Sequence, residues 1–203
     1  MSELMKVEGL RFSWGDNLVI DSVDFAVKEN ELISILGKNG AGKSTLLKCL
    51  NKILSPSQGK ILIQGEDVTE LDILTTSKKM SYVPQSITSN FSMDVFDVVL
   101  LGRRPYINWS VGENDRNLVS KTIDRMGLSG FAFRRFDRLS GGEKQRVIIA
   151  KAVAQDPDLF LFDEPTSDLD LKNQIEVMKE LRKIVSEENG KAAVIAIHDI
   201  NIC

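Results

Sequence analysis

The stretch ELISILGKNGAGKST, residues 31–45, constrains the fold more than any other part of the chain. An apolar run that ends in glycine is typical of a strand buried on both faces of a parallel sheet. The residues that follow match the spacing G-x-x-x-x-G-K-[ST], with Gly37, Gly42, Lys43 and Ser44 at the fixed positions. Leucines at helical spacing come next, in KSTLLKCLNKIL. The stretch therefore predicts a strand, a glycine-rich loop and a helix in succession.

A loop of this kind is suited to binding a chain of phosphates. Its glycines let the backbone wrap closely, so that N–H groups and the helix N-terminus face the negative charge. We expect Lys43 to reach the β- and γ-phosphates, Ser44 to ligate Mg²⁺ and Thr45 to help hold the α-phosphate. A glycine-rich turn without a ligand is the structural alternative, and the strand and helix on either side count against it. The candidate binding residues are Gly37, Asn39, Gly40, Ala41, Gly42, Lys43, Ser44 and Thr45.

A second apolar strand, LFLFDEP, ends in two carboxylates, Asp163 and Glu164. The carboxyl ends of strands are where α/β sheets place their ligands. We expect Asp163 to hold Mg²⁺ through water, and Glu164 to orient or deprotonate an attacking water molecule. The alternative is that both acids cap the next helix. The phosphate loop earlier in the chain favours the catalytic interpretation.

Three further side chains are candidates whose local sequence leaves their role open. His198, the one histidine of the chain, follows the apolar stretch AAVIAI and could donate a hydrogen bond to a γ-phosphate. Gln85 closes MSYVPQ, where its amide could touch both Mg²⁺ and the attacking water or be an ordinary polar strand end. Trp14, in the predicted turn WGDN, could stack on adenine or cover the edge of the core.

Strands and helices alternate along most of the chain, which predicts an α/β fold with a mainly parallel sheet. Near the N-terminus, two alternating stretches flank WGDN and predict a pair of strands, and KILIQGEDV is interpreted as one more short strand. Residues 93–126 show helical periodicity, interrupted by RRPYINWSVGEN, and predict a helical insert. We interpret residues 1–203 as a single domain, with a core at about 1–85 and 139–203 and a helical subdomain at about 86–138.

Composition limits the function classes. The 203 residues carry a formal net charge of −3, with 26 basic and 29 acidic side chains, which argues against general electrostatic capture of nucleic acid. Cys49 and Cys203 lie far apart without metal-ligand spacing, so we expect a reducing cytosol. The start MSELMKVEGL lacks the features of a signal peptide, and no apolar run reaches the ~18 residues of a membrane span. Any work at a membrane would then depend on a partner.

The order of these motifs resembles that of the ATP-binding cassette ATPases, the nucleotide-binding subunits of ABC transporters. The phosphate loop, VPQ, LSGGE, LFLFDEP, SDLD and a closing HD follow one another along essentially the whole chain. LSGGE is the specific part, because other P-loop proteins lack it. The resemblance implies a P-loop NTPase (RecA-like) core with a mainly parallel sheet, an N-terminal antiparallel β-subdomain and an inserted helical subdomain.

The resemblance also implies roles for the candidates that local sequence left open. Trp14 matches the aromatic residue that stacks on adenine, Gln85 the Q-loop glutamine, and His198 the switch histidine. Asp168 and Asp170 fall in the D-loop. Glu164 would be the catalytic base beside Lys43, Gln85 and His198. The implied Mg²⁺ ligands are Ser44, Gln85 and Asp163.

In proteins of this kind two cassettes pack head to tail around two ATP molecules. The signature of one subunit faces the γ-phosphate held by the phosphate loop of the other, where N–H groups, a hydroxyl and the helix dipole complete the site. The implied signature residues are Ser140, Gly141, Gly142 and Glu143. The departures are small: Glu143 replaces the more frequent glutamine, Lys38 stands where proline is common, and Asp168 adds an acid to the D-loop.

A finer resemblance lies in the helical insert. FSMDVFDVVLLGRRPYINW is similar to the importer ATPases for iron–siderophore, haem and cobalamin uptake, which carry a V..VLLGR.P stretch there. The alternative is that Leu100 and Leu101 are core residues and that Arg103 and Arg104 form a solvated face. Molybdate and tungstate importers are close relatives, so the cargo stays open between these classes. A soluble ABC protein of DNA repair or translation is disfavoured, because the sequence has neither a long coiled coil nor a second cassette.

The resemblance implies an ATPase that uses ATP and Mg²⁺ and works as a homodimer. Its expected partners are integral-membrane permease subunits, and through them a substrate-binding protein, with no nucleic acid. The expected location is peripheral, at the cytoplasmic face of the cell membrane.

The chain stops at HDINIC, where Asp199 and Asn201 could cap a helix that does not follow, which favours a fragment over a natural early end. If residues after Cys203 are missing, we expect poor folding or slow hydrolysis from the isolated chain.

Overall fold

The computed structural model describes residues 2–85, 92–166, 169–187 and 190–197. The strands are β1 (Glu3–Trp14), β2 (Asn17–Lys28), β3 (Leu32–Leu36), β4 (Gln58–Ile63), β5 (Glu66–Asp67), β6 (Met80–Val83), β7 (Leu159–Asp163) and β8 (Ala192–Ile197). The α-helices are α1 (Lys43–Leu50), α2 (Ile73–Lys79), α3 (Val95–Leu100), α4 (Glu113–Arg125), α5 (Gly141–Ala154) and α6 (Leu171–Glu187). Short 3₁₀ helices cover Leu101–Tyr106, Ser129–Phe131 and Phe136–Arg138.

The strands form two sheets of opposite character. An antiparallel sheet has the order β2-β1-β4-β5, and a parallel sheet has the order β3-β8-β7-β6. The parallel sheet carries the strand before the phosphate loop at one edge and the strand before Gln85 at the other. The predicted α/β fold, with an N-terminal antiparallel β-subdomain, a parallel core sheet and inserted helices, is confirmed.

The parallel sheet is buried on both faces, because successive side chains of a strand point to opposite sides. In β7, Leu159 and Leu161 pack with α1 and the antiparallel sheet, whereas Phe160 and Phe162 pack with α5 and α6. All five residues of β7 are buried. Two hydrophobic cores therefore share this strand, and they hold its last residue, Asp163, in a fixed place.

Between β6 and α5, the described residues form α3, α4 and the three short 3₁₀ helices. The backbones of the segment after α3 and of α5 approach closely: a Cβ on Gly102 would lie 2.2 Å from the Lys151 carbonyl oxygen.

Arg103 is not part of a solvated face, since its Nε donates to Asp115 Oδ1 at 3.0 Å and its Nη1 to the Ala154 carbonyl at 3.0 Å. Leu100 packs on the core, while Leu101 is 37% exposed. The bounds of a separate helical subdomain stay a prediction.

Local structure differs from the sequence expectation at four places. KILIQGEDV is not one strand but two, because Gln64 and Gly65 both adopt positive φ and turn the chain into a hairpin. Helix α2 was not expected; the Asp72 side chain caps it by accepting from the Thr75 N–H at 2.7 Å. The helix of KSTLLKCLNKIL ends at Leu50 rather than at the end of that stretch. The 3₁₀ helix Leu101–Tyr106 covers RRPY, which was read as an interruption.

Within the described residues, no helix is both long enough and apolar enough to cross a membrane.

Candidate functional site

A cleft of about 440 Å³ lies at the carboxyl ends of the parallel strands. The cleft is lined by the loop before α1, the first residues of α1, Trp14, Gln85 and Glu164. This brings together residues that are far apart in the sequence. The structure therefore places Trp14, the phosphate loop, Gln85 and Glu164 around one cavity. Trp14 is the last residue of β1 and pairs with Asn17, so it is not in the turn as predicted.

Glycines give the loop its shape where the backbone needs positive φ. Gly40 has φ +81° and Gly42 has φ +90°. A Cβ on Gly42 would lie 2.9 Å from Val19 Cγ1, so a side chain there would be both strained and crowded. Gly42 is the N-cap of α1, and neither a side-chain cap nor an acidic residue in the first turn blocks the N–H groups of that helix start. The loop thus offers backbone donors to an anion.

Lys43 lies at the centre of the cleft, and its ammonium group already has partners. Its Nζ donates to the carbonyl oxygens of Gly37 at 2.7 Å and Lys38 at 3.2 Å. It also lies 3.3 Å from Glu164 Oε1, and the two side chains are only 6% and 8% exposed. A buried ammonium needs such partners, because an unpaired charge there costs several kcal/mol or more. An incoming phosphate would take the place that Glu164 now holds beside Lys43.

Glu164 follows β7 in a strained backbone conformation. Its φ is +48°, a region that non-glycine residues rarely adopt. The carboxylate accepts a hydrogen bond from Gln85 Nε2 at 2.9 Å through Oε2. The contacts with Gln85 and Lys43 together hold the carboxylate of Glu164 in this structure. Glu164 is only 7% exposed. A carboxylate oriented in this way, next to a phosphate loop, can accept the proton of an attacking water molecule.

Asp163 is the last residue of β7 and is 3% exposed. Its Oδ1 accepts from the Ser44 hydroxyl at 2.9 Å, and its Oδ2 accepts from the Tyr82 hydroxyl at 3.1 Å. Burial, and next the charge of Asp163, raise the pKa of Tyr82. The hydroxyl of Ser44, the carboxylate of Asp163 and the amide oxygen of Gln85 are the hard oxygen donors that Mg²⁺ prefers, so these residues fit the ion. An Mg²⁺ ion held there would neutralise phosphate charge.

Trp14 lines the cleft and is 55% exposed as a residue. The ring meets Phe12 edge to face, with the centroids 5.1 Å apart and the planes at 80°. That contact fixes the indole without covering both of its faces. The predicted stacking on adenine stays a prediction that this placement allows.

The signature residues form the first turn of α5. Ser140 is the N-cap, and the structure shows a capping box in which Ser140 and Glu143 bond to each other. Ser140 and Gly141 are exposed. In the part of the chain that the structure describes, none of the residues Ser140–Glu143 lines the cleft that holds Lys43.

Comparisons with known proteins identify the family of the chain. The family model described as ABC transporter matches residues 20–167. A relative from Methanocaldococcus jannaschii, an uncharacterized ABC transporter ATP-binding protein, is 47% identical over 98% of this chain and 78% of its own length. The chain belongs to the ABC transporter family. It is an ATP-binding cassette that hydrolyses ATP.

Other ABC relatives carry more specific names. A Bacillus subtilis petrobactin import ATP-binding protein is 35% identical over 98% of this chain and 78% of its own length. A Halobacterium salinarum cobalamin import ATP-binding protein is 36% identical over 98% of this chain, which spans only half of that protein. The resemblance to importer ATPases of this group, stated from the motifs, is confirmed.

Solved ABC structures share the fold. An inward-facing metal-chelate type ABC transporter aligns with a TM-score of 0.85 at 34% identity, covering 100% of this chain and 75% of that one. A dimeric cassette in a post-hydrolysis state, bound to ADP and Pi, aligns with a TM-score of 0.86 at 30% identity, covering 98% of this chain and 90% of that one.

Glu143→Ala should lower the free energy of unfolding by about 1 kcal/mol at pH 7, because it removes half of the capping box. Glu143 Oε2 accepts from the Ser140 N–H at 2.7 Å and from its hydroxyl at 2.8 Å. These bonds, the backbone one first, lower the pKa of Glu143. The stabilisation is therefore present above the unfolded pKa of about 4.3 and is lost as the pH falls through the lower folded pKa.

Urea unfolding of the unaltered chain and of Glu143→Ala at pH 7 and at about pH 3 checks this expectation. The difference in unfolding free energy should shrink at the lower pH. Glu176→Ala is a matched control, since Glu176 is an exposed residue of α6. A difference that is the same at both pH values would contradict an ionised capping carboxylate.

Two of the predicted site residues lie outside the described part of the chain, and one residue that contacts the site is not predicted by the sequence. His198 and Asp168 are not among the described residues. Asp170 is exposed at the start of α6, where its Oδ1 accepts from the Asn173 N–H at 2.9 Å. Local sequence alone does not mark Tyr82 as a site residue. The signal available was its position in MSYVPQ, on the strand beside Asp163, but only the register of β6 against β7 turns that into a contact.

Proposed function

We propose that the chain is the ATPase subunit of an ABC importer and that its cargo is a metal chelate: an iron–siderophore complex, haem or cobalamin. The observation that carries the ATPase part is the cleft in which Lys43, Gln85 and Glu164 meet beside the phosphate loop. Relatives named for petrobactin and cobalamin import support the cargo class. A structural neighbour described as a metal-chelate type transporter supports it too.

In the proposed reaction, water attacks the γ-phosphorus in line with the bond to the β,γ-bridging oxygen. Glu164 accepts the proton of that water, the P–O bond to the bridging oxygen breaks, and ADP leaves. Lys43 and the N–H groups of the loop stabilise the charge on the phosphoryl oxygens. Ser44, Gln85 and Asp163 would hold Mg²⁺. His198 would donate a hydrogen bond to the γ-phosphate.

The proposed site is completed by a second copy of the chain. Ser140 and Gly141 are exposed at the positive end of α5, away from the cleft of their own chain. In a head-to-tail homodimer, Ser140, Gly141, Gly142 and Glu143 of one copy would face the γ-phosphate held by Lys43 of the other. Asp168 and Asp170 would lie near this interface. The dimeric ADP-bound cassette among the structural neighbours supports the arrangement.

The proposed partners are integral-membrane permease subunits and, through them, a substrate-binding protein. Dimer closure would pull on the permease. The ATPase would therefore lie at the cytoplasmic face of the membrane, in contact with the permease. The relatives named as importer ATP-binding proteins support this assembly. A permease is also the element that would select the cargo, so the ATPase by itself does not define it.

Uptake by a reconstituted transporter tests the proposal. The chain, co-purified with the permease from its own gene neighbourhood and placed in proteoliposomes with ATP inside and the substrate-binding protein outside, should take up a ferric siderophore, haem or cobalamin. The Lys43→Ala variant should abolish uptake, and Lys179→Ala, at an exposed residue of α6, should not. Uptake of molybdate, but of none of the chelates, would contradict the proposed cargo. A permease that does not bind the chain would contradict the proposed role.

A further inference from the structure

Among the described residues, Ser44 and Tyr82 donate hydrogen bonds to the Asp163 carboxylate, and Ser44 alone of the two belongs to the phosphate loop. Ser44 donates to Oδ1 at 2.9 Å, and Tyr82 donates to Oδ2 at 3.1 Å. Asp163 is 3% exposed, so bulk water has little access to it. Each carboxylate oxygen thus depends on a particular hydroxyl group for its orientation.

The register of the parallel sheet explains why Tyr82 reaches Asp163. Tyr82 lies opposite Leu161 in the β6–β7 pair, and Leu161 and Asp163 point to the same face of β7. The tyrosine ring therefore passes along that face, and its hydroxyl arrives at the end of the strand. Tyr82 also lines a groove of about 550 Å³, together with Ile53 and Met80. A phenylalanine would fill the same space, so the hydroxyl serves the contact with Asp163 rather than the packing.

A bound metal ion would affect the two donors, Ser44 and Tyr82, differently. Ser44 is itself a proposed Mg²⁺ ligand, so its hydroxyl oxygen would turn from Asp163 to the ion. The terminal torsion of an aspartate is soft, and a carboxylate that loses one of two donors can rotate. Tyr82 would then be the donor that keeps Oδ2 in place and leaves Oδ1 directed at the metal.

We propose that Tyr82 is a positioning residue that orients Asp163 toward Mg²⁺ by holding its Oδ2. Hydrogen bonds to a ligating side chain fix its orientation, and their loss typically costs 10–100-fold in metal affinity. The inference rests on the proposed magnesium site. Tyr82 does not touch the nucleotide or the metal in this account; it acts through Asp163.

Nucleotide affinity measured with and without the ion tests the inference. We expect Tyr82→Phe to bind a fluorescent ATP analogue as the unaltered chain does in EDTA. The gain in affinity on adding Mg²⁺ should be about tenfold smaller in the variant. A residue with only a packing role would leave that gain unchanged, or would weaken binding in EDTA as well.

The chain offers a matched control. It has two tyrosines, and the other is Tyr106, whose hydroxyl lies 3.4 Å from the Asp156 carbonyl oxygen, away from the cleft. Tyr106→Phe removes the same atom and should leave the Mg²⁺-dependent gain at its normal value. A thermal melt of each variant shows whether the fold is retained.

Fluorine NMR gives a readout that does not depend on a variant of Tyr82. Protein labelled with 3-fluorotyrosine should show two resonances, which Tyr106→Phe assigns. Adding Mg²⁺ to the complex with a non-hydrolysable ATP analogue should shift the Tyr82 resonance and leave that of Tyr106 in place. This measurement decides the matter even if Tyr82→Phe does not fold.

The outcomes separate the inference from the site on which it rests. If Mg²⁺ fails to raise the ATP affinity of the unaltered chain, the magnesium site is wrong and the inference falls with it. If Mg²⁺ raises the affinity equally in the unaltered chain and in Tyr82→Phe, the site stands and the role of Tyr82 is overturned. An unmoved Tyr82 fluorine resonance also overturns it.

Discussion

Glu164→Gln should bind ATP with little change and hydrolyse it about 10²–10⁴-fold more slowly, the usual contribution of a general base. The amide keeps the size and shape of the carboxylate but cannot accept the proton of the attacking water. Glu164 is suited to that role because Gln85 Nε2 donates a hydrogen bond to its Oε2 at 2.9 Å and so orients the carboxylate. Its Oε1 lies 3.3 Å from Lys43 Nζ, and an incoming phosphate that replaces this contact would free Oε1 to accept a proton.

Two measurements separate the base from a structural role. A steady-state ATPase assay gives the turnover, and binding of a fluorescent ATP analogue gives the affinity. Glu176→Gln, at an exposed position of α6, is the control and should keep full turnover. Full turnover in Glu164→Gln would remove Glu164 as the base. A loss of ATP affinity that parallels the loss of turnover would assign Glu164 to nucleotide binding instead.

Ser140→Arg should abolish ATP-dependent dimerisation and reduce hydrolysis to the level of an isolated chain, while each chain still binds ATP. Ser140 is exposed at the start of α5, where a helix attracts an anion from outside its own chain. An arginine there puts a bulky side chain where the phosphate of the partner copy would lie. The variant also loses the N-cap, which costs about 1 kcal/mol, so its folding must be checked.

Light scattering with ATP and without it measures the dimer. Ser140→Gly keeps the helix start open and removes the CH₂OH side chain without adding bulk, so it should dimerise more weakly but detectably. Ser186→Arg adds the same side chain at an exposed position near the end of α6 and should dimerise normally. Intact ATP-driven dimerisation of Ser140→Arg would show that the signature does not serve a partner.

Sequence patterns predicted those parts of the site that depend on short stretches of chain. A glycine-rich loop between a buried strand and a helix places Lys43 and Ser44 by local geometry alone. Asp163 and Glu164 were found because an apolar strand must end at the edge of a parallel sheet. Trp14 and Gln85 needed the family resemblance, because their local sequence did not distinguish a site residue from an ordinary one.

Contacts that depend on register and close packing could not be read from the sequence. The Tyr82–Asp163 hydrogen bond exists only because β6 pairs with β7 in one particular register. The sequence allows Arg103 to be part of a solvated face, yet its guanidinium donates hydrogen bonds to Asp115 and to the last residue of α5. Such contacts join residues from separate helices and strands. The spacing of hydrophobic residues within one element indicates its type but not which side chains of another element it contacts.

The central claim is that the phosphate loop of one chain and the signature of another form one ATP site. Mixing two inactive variants tests it most directly. In a heterodimer of Lys43→Ala with Ser140→Arg, one composite site carries both defects and the other carries neither. The account predicts that each variant alone is inactive and that an equal mixture recovers up to about a quarter of the normal ATPase activity. Activity of the mixture no greater than that of the separate variants would contradict it.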